Sequence, residues 1–344
     1  MPIRVAINGF GRVGRSVVRI AHETGVDLEI VAINDLADAT TLAHLLRHDS
    51  VYGAFPGSVG CTASEILLDE RPIPVLAEPK VSHLPWRDLG VDVVIESTGC
   101  HRTRAAAAEH RAAGAGKVIV SAPGKGSELL DVTVVMGVNF DSAYHPDRHH
   151  LISNASCTTN CLAPVARVLH DTVGIRHGLM STIHAYTADQ NLLDAPHKDL
   201  RRARAAALNL VPTSTGAAKA LGLVIPELDG LVDGFAIRVP TPTGSIVDLT
   251  VEAERATSVE EVNGAFADAA GDGPLRGILS YNDEEIVSSD IVKSPYSAVF
   301  DAALTSVVDD TLVKVVAWYD NEWGYSSRLV DLAARVMAPV PAHA

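Results

Sequence analysis

The chain has few aromatic residues and few cysteines. Phe, Trp and Tyr make up 5% of its 344 residues, so the core has to be mainly aliphatic. Four cysteines in a chain of this length predict reduced thiols in a cytoplasm rather than a disulfide framework. At this length, two domains are more plausible than one.

Basic residues and long apolar runs are also scarce. There are 28 Lys and Arg against 42 Asp and Glu, which gives a formal net charge of −14. This balance argues against nucleic acid as a partner, because neutralising phosphates requires clustered positive charge. No apolar run is long enough to span a bilayer and no targeting segment is recognisable, so we expect no membrane partner.

A glycine motif follows the first apolar stretch. Arg4-Val-Ala-Ile-Asn8 predicts a strand, and residues 9–14 then read G-x-G-x-x-G. A helical pattern continues over 16–22, and a second strand is predicted over 28–33. In this strand–helix–strand context the motif predicts a dinucleotide site with the pyrophosphate at the helix N-terminus. The candidate residues are Gly9, Gly11, Arg12, Val13 and Gly14.

Asp35 ends the second predicted strand. An acid at this point meets the adenosine ribose hydroxyls in dinucleotide-binding folds. A carboxylate would repel a 2′-phosphate, and Leu36 offers no polar replacement. The sequence therefore favours NAD over NADP. A lone glycine motif often makes only a turn, but strand, helix, strand and acid together favour the cofactor site.

Further strands alternate with helices in the first half. Strands are predicted over 91–96 and 117–121, with an alanine-rich helix over 103–113 between them. This alternation predicts an α/β, Rossmann-type, doubly wound parallel sheet over residues 1–155. Ligands bind at the carboxyl ends of such strands, which makes Thr98, Gly99 and Ser121 candidate cofactor residues. Gly and Pro punctuation over 50–85 predicts an antiparallel excursion.

The second half has a different pattern. Strands are predicted over 178–184, 234–239, 246–252 and 312–318, with a helix over 257–270. These elements predict an α+β domain with a largely antiparallel sheet over residues 156–321.

Cys157 lies in a segment of small polar residues, Ser153-Asn-Ala-Ser-Cys-Thr-Thr-Asn160. These neighbours suit a thiol that must reach a substrate. His184 ends an apolar strand, and a Cys and a His distant in sequence often meet as an activated pair. The plainer interpretations are a buried structural thiol and a packed core histidine. No metal is predicted, since no further ligands stand at suitable spacing beside Cys157 and Cys161.

Arginines and hydroxyl residues complete the candidate set. Arg202 and Arg238 offer fixed positive charge suited to phosphate, and Arg238 lies inside a strand. Thr187, Thr215 and Gly216 offer a hydroxyl or flexible backbone. Surface or subunit salt bridges are the alternative for the arginine cluster at 201–204.

Several segments together resemble the glyceraldehyde-3-phosphate dehydrogenase family. Asn8-Gly-Phe-Gly-Arg-Val-Gly-Arg15 is similar to that family's cofactor loop, and Ser153-Asn-Ala-Ser-Cys-Thr-Thr-Asn-Cys-Leu-Ala-Pro164 to its catalytic-cysteine signature. Residues 184–190, 199–207, 212–220, 238–242 and 318–326 match further family segments in order.

The resemblance implies a mechanism and an assembly. Cys157 would attack the aldehyde with His184 as base, hydride would pass to NAD, and inorganic phosphate would cleave the thioester. Asn321 would bind the nicotinamide amide. Arg238 and Thr187 would hold the substrate phosphate; the inorganic phosphate would be held by Ser156, Thr158, Arg202, Thr215 and Gly216. The family also implies a homotetramer, and a C-terminal helix over about 322–344 that packs on the first domain.

Some positions depart from the family pattern. Cys100 and His101 stand where a Phe usually flanks the adenine, and Lys80 stands where many members have a nearby Arg. Three alternatives therefore stay open: an erythrose-4-phosphate dehydrogenase, an inhibitor-tolerant paralogue and a non-catalytic scaffold. The segments after His184 and over 212–220 argue against the first, and the retained Cys157, His184 and Arg238 against the last.

Overall fold

The computed structural model describes residues 1–338, which divide into two units. The first unit comprises residues 1–134, 141–155 and those from 326 onward, and the second comprises 135–140 and 156–325. The helices are α1 Arg12–Thr24, α2 Ala39–Arg47, α3 Arg104–Ala112, α4 Phe140–Ala143, α5 Cys157–Val173, α6 Ala217–Val224, α7 Val259–Gly271 and α8 Trp323–Arg335. None of the described helices is both long and apolar enough to cross a membrane.

The strands form two main sheets. Those of the first unit are β1 Ile3–Asn8, β2 Leu28–Asn34, β3 His48–Asp49, β4 Gly53–Ala54, β5 Val59–Cys61, β6 Glu65–Leu68, β7 Arg71–Leu76, β8 Val93–Glu96, β9 Lys117–Val120, β10 Val132–Thr133 and β11 Leu151–Ser153. Those of the second are β12 Ile175–Ala185, β13 Val211–Ser214, β14 Val232–Val239, β15 Ser245–Ala253, β16 Leu279–Asn282, β17 Ala298–Asp301, β18 Ser306–Val308 and β19 Leu312–Tyr319.

The first sheet has the order β10-β11-β9-β8-β1-β2-β7-β6-β5. Every pair from β10 to β7 is parallel, while β7, β6 and β5 pair antiparallel. This confirms the predicted parallel sheet and the antiparallel excursion. Strand β1 has β2 on one side and β8 on the other, so the chain changes direction across β1. Ligands bind beyond the carboxyl ends of the strands at such a point.

The second sheet has the order β13-β14-β12-β15-β19-β17-β16. Most of its pairs are antiparallel, but β12 and β14 are parallel, as are β16 and β17. The register between β12 and β14 sets His184 beside Arg238. The predicted fold class, an α/β first domain with a largely antiparallel second sheet, is therefore confirmed.

Helix α5 is buried over most of its length. It begins at Cys157, after Ser156, whose hydroxyl accepts the Thr159 N–H at 3.0 Å as an N-cap. It runs through Pro164, a residue that usually breaks helices and that favours a start just before it or a bend. Because the helix starts at Cys157, its first free backbone N–H groups lie beside the thiol.

The last helix, α8, is shorter than predicted. It ends at Arg335, and residues 336–338 form a turn, as expected just before Pro339. Within the first unit, the Tyr144 hydroxyl donates to the Val336 carbonyl at 2.7 Å. The predicted continuation over 339–344 lies outside the described residues.

Candidate active site

A cavity of about 510 Å³ opens at the carboxyl ends of β1, β2 and β8. Its volume is in the range of cofactor pockets. Four predicted cofactor residues line it: Gly9, Gly11, Asp35 and Thr98. The other lining residues are Asn8, Asn34, Leu36, Glu78, Pro79, Val81, Ser97, Cys100 and His101.

The three glycines of the motif differ in what a side chain at each position would contact. Gly9 has φ +93°, and a Cβ there would lie 2.6 Å from the Thr98 nitrogen. A Cβ on Gly14 would lie 2.4 Å from the Gly9 carbonyl oxygen. A Cβ on Gly11, by contrast, would meet no protein atom within 4 Å. The fold therefore requires Gly9 and Gly14, whereas at Gly11 the structure itself leaves room for a side chain.

Asp35 is held in place by the backbone. Its Oδ2 accepts the Phe10 N–H at 2.7 Å, and its Oδ1 accepts the Ala37 N–H at 3.0 Å. The carboxylate is thus fixed against the glycine turn and faces the cavity beside exposed Leu36. This arrangement fits ribose hydroxyls and disfavours a 2′-phosphate.

The other predicted cofactor residues of the first unit do not line the cavity. Arg12 directs its guanidinium to Asp49 and over the Tyr52 ring, so its side chain serves the fold. Val13 and Gly14 lie in the first turn of α1. Gly99 has a left-handed backbone conformation, with φ +74°. The Ser121 N–H donates to the Glu96 carbonyl at 2.9 Å.

Sequence reasoning missed Glu96, which is 1% exposed. Its carboxylate accepts hydrogen bonds from the Thr98 N–H at 2.8 Å, the Asn8 amide at 2.5 Å and His110 at 3.0 Å. Although burial raises its pKa, hydrogen bonds from the side chains of His110, Thr98 and Asn8 bring the pKa of Glu96 below its ordinary value. Glu96 therefore holds two cavity residues from beneath. Its sequence signal was an acid at the end of an otherwise apolar strand.

Cys157 and His184 meet in the second unit. The Cys157 Sγ lies 3.4 Å from the His184 Nε2. Cys157 is the first residue of α5, and His184 lies near the end of β12, packed edge-on against the Tyr319 ring at 5.9 Å. The pair predicted from distant segments is therefore within hydrogen-bonding reach.

Burial controls the charge of this pair. Desolvation raises the pKa of the Cys157 thiol, and desolvation with the charge of Arg238 lowers the pKa of His184 to about 3. Neither group ionises readily alone. Moving one proton from Sγ to Nε2 creates both charges at once, so thiolate and imidazolium form together and stabilise each other.

Arg238 contacts the opposite side of the imidazole. Its Nη1 lies 2.6 Å from the His184 Nδ1 and 3.1 Å from the Ala185 carbonyl oxygen, while Nδ1 is itself 2.7 Å from that oxygen. The Arg238 Nε is buried without a partner among the described residues. An arginine with such an unused donor is suited to an anionic ligand.

Thr187 and Arg202 are joined through Asp189. The Thr187 hydroxyl and the Arg202 guanidinium both donate to the Asp189 carboxylate. Burial raises the pKa of Asp189, but these contacts and the charge of Arg238 bring it below its ordinary value. Arg202 also donates to the Thr213 hydroxyl at 3.0 Å. Thr187 and Arg202, both predicted to bind phosphate, thus both already donate to the Asp189 carboxylate.

The remaining predicted phosphate residues stand at two helix starts. Ser156 caps α5, while Thr215 and Gly216 precede α6, where the Thr215 hydroxyl accepts the Ala217 N–H at 3.2 Å. Thr158 is 4% exposed, and its hydroxyl is 2.9 Å from the Tyr319 hydroxyl. Thr158 thus has a hydroxyl bonded to Tyr319 and a backbone N–H at the start of α5.

Asn321 lies between β19 and α8. Its Oδ1 accepts a hydrogen bond from the Ser245 hydroxyl at 2.9 Å.

All four cysteines are free, and among residues 1–338 no group of three or more His, Cys, Asp or Glu is arranged to hold a metal.

Two family models match the chain. The model described as "Glyceraldehyde 3-phosphate dehydrogenase, NAD binding domain" matches residues 3–104, and that described as "Glyceraldehyde 3-phosphate dehydrogenase, C-terminal domain" matches residues 156–321. The chain belongs to the glyceraldehyde-3-phosphate dehydrogenase family. This confirms the resemblance and establishes NAD as the cofactor.

Curated relatives match over nearly the whole length. Glyceraldehyde-3-phosphate dehydrogenase 2 of Streptomyces arenae is 60% identical over 98% of this chain and 99% of its own. Glyceraldehyde-3-phosphate dehydrogenase 1 of Streptomyces avermitilis is 61% identical, and glyceraldehyde-3-phosphate dehydrogenase of Mycolicibacterium smegmatis is 57% identical, with the same coverage.

Gly11→Ala and Gly14→Ala should separate an effect on NAD binding from an effect on stability. Gly14→Ala forces a clash with the Gly9 carbonyl and should lower the free energy of unfolding by about 1–3 kcal/mol. Gly11→Ala meets no clash and should lower stability less, by about 1 kcal/mol at most for the change at the N-cap of α1, but should weaken NAD binding about tenfold. Thermal unfolding without ligand and calorimetric titration with NAD measure the two effects. Wild-type NAD affinity in Gly11→Ala would contradict this assignment.

His184→Asn should slow alkylation of Cys157 near neutral pH. Without a proton acceptor the buried thiol must ionise alone, and burial raises its pKa, so the alkylation rate should rise only at more alkaline pH than in the wild type. Iodoacetamide kinetics across pH measure this. The matched control is His177→Asn, an exposed histidine on the same strand. Equal profiles for wild type and His184→Asn would refute the coupled pair.

Proposed function

We propose that this chain oxidises D-glyceraldehyde 3-phosphate to 1,3-bisphosphoglycerate with NAD and inorganic phosphate. The observation that carries the proposal is the 3.4 Å contact between Cys157 and His184 with Arg238 on the far side of the imidazole. A thiol, a base and an anion-binding cation in contact suit covalent catalysis on a phosphorylated aldehyde. Family membership and the named relatives support the same reaction.

Cys157 begins the chemistry as the nucleophile. Its sulfur forms a bond to the aldehyde carbon while its proton passes to the His184 Nε2 and from there to the carbonyl oxygen, which gives a hemithioacetal and leaves His184 neutral again. The backbone N–H groups at the start of α5 are suited to stabilise the developing oxyanion. Bound NAD supplies the acceptor for the hydride that leaves this carbon. His184 takes the hydroxyl proton as the thioester forms.

Inorganic phosphate completes the reaction. A phosphate oxygen attacks the thioester carbon, the carbon–sulfur bond breaks, and the thiolate leaves as the acyl phosphate forms. We propose that Ser156, Thr215, Gly216, Arg202 and the backbone of Thr158 bind this phosphate. The two helix starts and the arginine support the assignment.

Arg238 and Thr187 are proposed to hold the phosphate of the substrate itself. The Arg238 Nε, which is buried without a partner among the described residues, supports this assignment because it leaves a donor for an anion.

We further propose a cytoplasmic homotetramer. A catalytic thiol and three other free cysteines fit a reducing compartment. The loop from 186 to 208 exposes several leucines, Leu192, Leu193, Leu200 and Leu208, which fits burial against another subunit. Analytical ultracentrifugation that finds a monomer at micromolar concentration would contradict the assembly.

The direct test is NAD reduction with D-glyceraldehyde 3-phosphate, with and without phosphate. Turnover should require phosphate, favour NAD over NADP, and fall at least about a thousandfold in Cys157→Ser. Phosphate-independent turnover would indicate hydrolysis of the thioester instead. Higher kcat/KM with erythrose 4-phosphate would identify a different substrate.

Arg238→Gln should impair the phosphorylated substrate selectively. Losing a charge-assisted contact should lower kcat/KM for glyceraldehyde 3-phosphate roughly ten- to hundredfold, and that for unphosphorylated glyceraldehyde much less. Arg276→Gln, an exposed arginine after α7, is the control. An equal loss with both substrates would show that Arg238 does not read the phosphate.

A further inference from the structure

The side-chain amide of Asn321 is held on one side only. Asn321 is 6% exposed, and its Oδ1 lies 2.9 Å from the Ser245 Oγ. No hydrogen bond to its Nδ2 is found among residues 1–338. An amide carries an acceptor at one end and two donors at the other, so the end that faces Ser245 decides which end faces a ligand.

The Ser245 hydroxyl has one proton to donate, and its surroundings determine the acceptor. The residue begins β15 and is 1% exposed. Its Oγ accepts the Ala185 N–H at 3.1 Å, and the acceptor that the described residues place near its own proton is the Asn321 Oδ1. A buried hydroxyl proton without an acceptor is costly. Ser245 therefore requires the oxygen end of the amide to face it.

Thr243, the other hydroxyl near this amide, does not set its direction. Its Oγ1 donates to the Asp320 carboxylate at 2.9 Å and is 3.4 Å from the Asn321 Oδ1. A carboxylate accepts only, so the Thr243 proton belongs to Asp320. Asp320 in turn accepts the N–H groups of Glu322 and Trp323 at the start of α8.

We infer that Ser245 is a positioning residue, which fixes the Asn321 amide so that its NH2 end faces the nicotinamide. This rests on the proposed role of Asn321 toward the cofactor. An amide held this way donates a hydrogen bond to the carbonyl oxygen of the nicotinamide carboxamide. It offers no acceptor to the NH2 group of that carboxamide. The chain then favours cofactors that carry a hydrogen-bond acceptor opposite Asn321, and this preference depends on Ser245.

Thionicotinamide adenine dinucleotide tests the inference. Its thiocarbonyl is a weak acceptor, but its NH2 group is a good donor. In the wild type the NH2 end of Asn321 must face the thiocarbonyl, which weakens binding. In Ser245→Ala the amide is free to turn and accept from the thioamide NH2. The ratio of Kd for the thio analogue to Kd for NAD should then fall about fivefold.

Calorimetric titration of the ligand-free protein measures both dissociation constants without reference to turnover. Thr243→Val is the matched control, since it removes a hydroxyl from the same amide's surroundings and should leave the ratio unchanged. General damage to the site would weaken both ligands together and leave the ratio unchanged too. If Ser245→Ala does not fold, Ser245→Cys, with a weak donor of similar size, should shift the ratio in the same direction.

Asn321→Leu separates the two levels of the argument. It should weaken NAD binding about fivefold. If it does so while Ser245→Ala and Ser245→Cys keep the wild-type ratio, the inference about Ser245 is wrong and the role of Asn321 stands. If Asn321→Leu binds NAD as tightly as the wild type, the proposed role of Asn321 falls, and the inference falls with it.

Discussion

The parallel register between β12 and β14 is the constraint on which the reactive site depends. It sets His184 beside Arg238, so that a base and a fixed cation share one backbone ladder. Burial, together with the charge of Arg238, lowers the pKa of the imidazole, so that the ring is neutral and able to take a thiol proton. Cys157 is added from the start of α5, a helix too deeply packed to shift without disturbing the core. The position of the base and the charge beside it therefore have one origin, the pairing of two strands.

Polar side chains at the ends of strands and helices organise both units. Glu96 ends β8 and ties Thr98, Asn8 and His110 beneath the cofactor cavity. Asp320 does a similar task for the start of α8. Each is nearly inaccessible to solvent, and each satisfies several donors at once. A buried carboxylate is costly unless it is hydrogen-bonded in this way, so these residues fix the backbone strictly.

Residues proposed to contact a ligand are easier to find in the sequence than residues that hold them in place. The glycine motif, Asp35, Cys157 and His184 have local patterns that follow from their chemistry. Glu96 is bonded to Asn8, 88 residues away, and Ser245 to Asn321, 76 residues away, and no local pattern reveals such a bond. Thr158 has a bond of the same kind: its place beside the cysteine predicts a phosphate contact, and its hydroxyl is also bonded to Tyr319, which lies 161 residues away. Helix α5 also passes through a proline that local rules would place at its start or at a bend.

Asp189 has a consequence for the speed of the cycle. Its carboxylate already bridges Thr187 and Arg202. On the roles proposed for these two residues, an arriving phosphate would replace one anion with another instead of filling an uncompensated positive site. Such an exchange would moderate affinity, because the incoming group must displace a tethered competitor that is always present at high local concentration. A moderate affinity would favour rapid departure of a phosphorylated product.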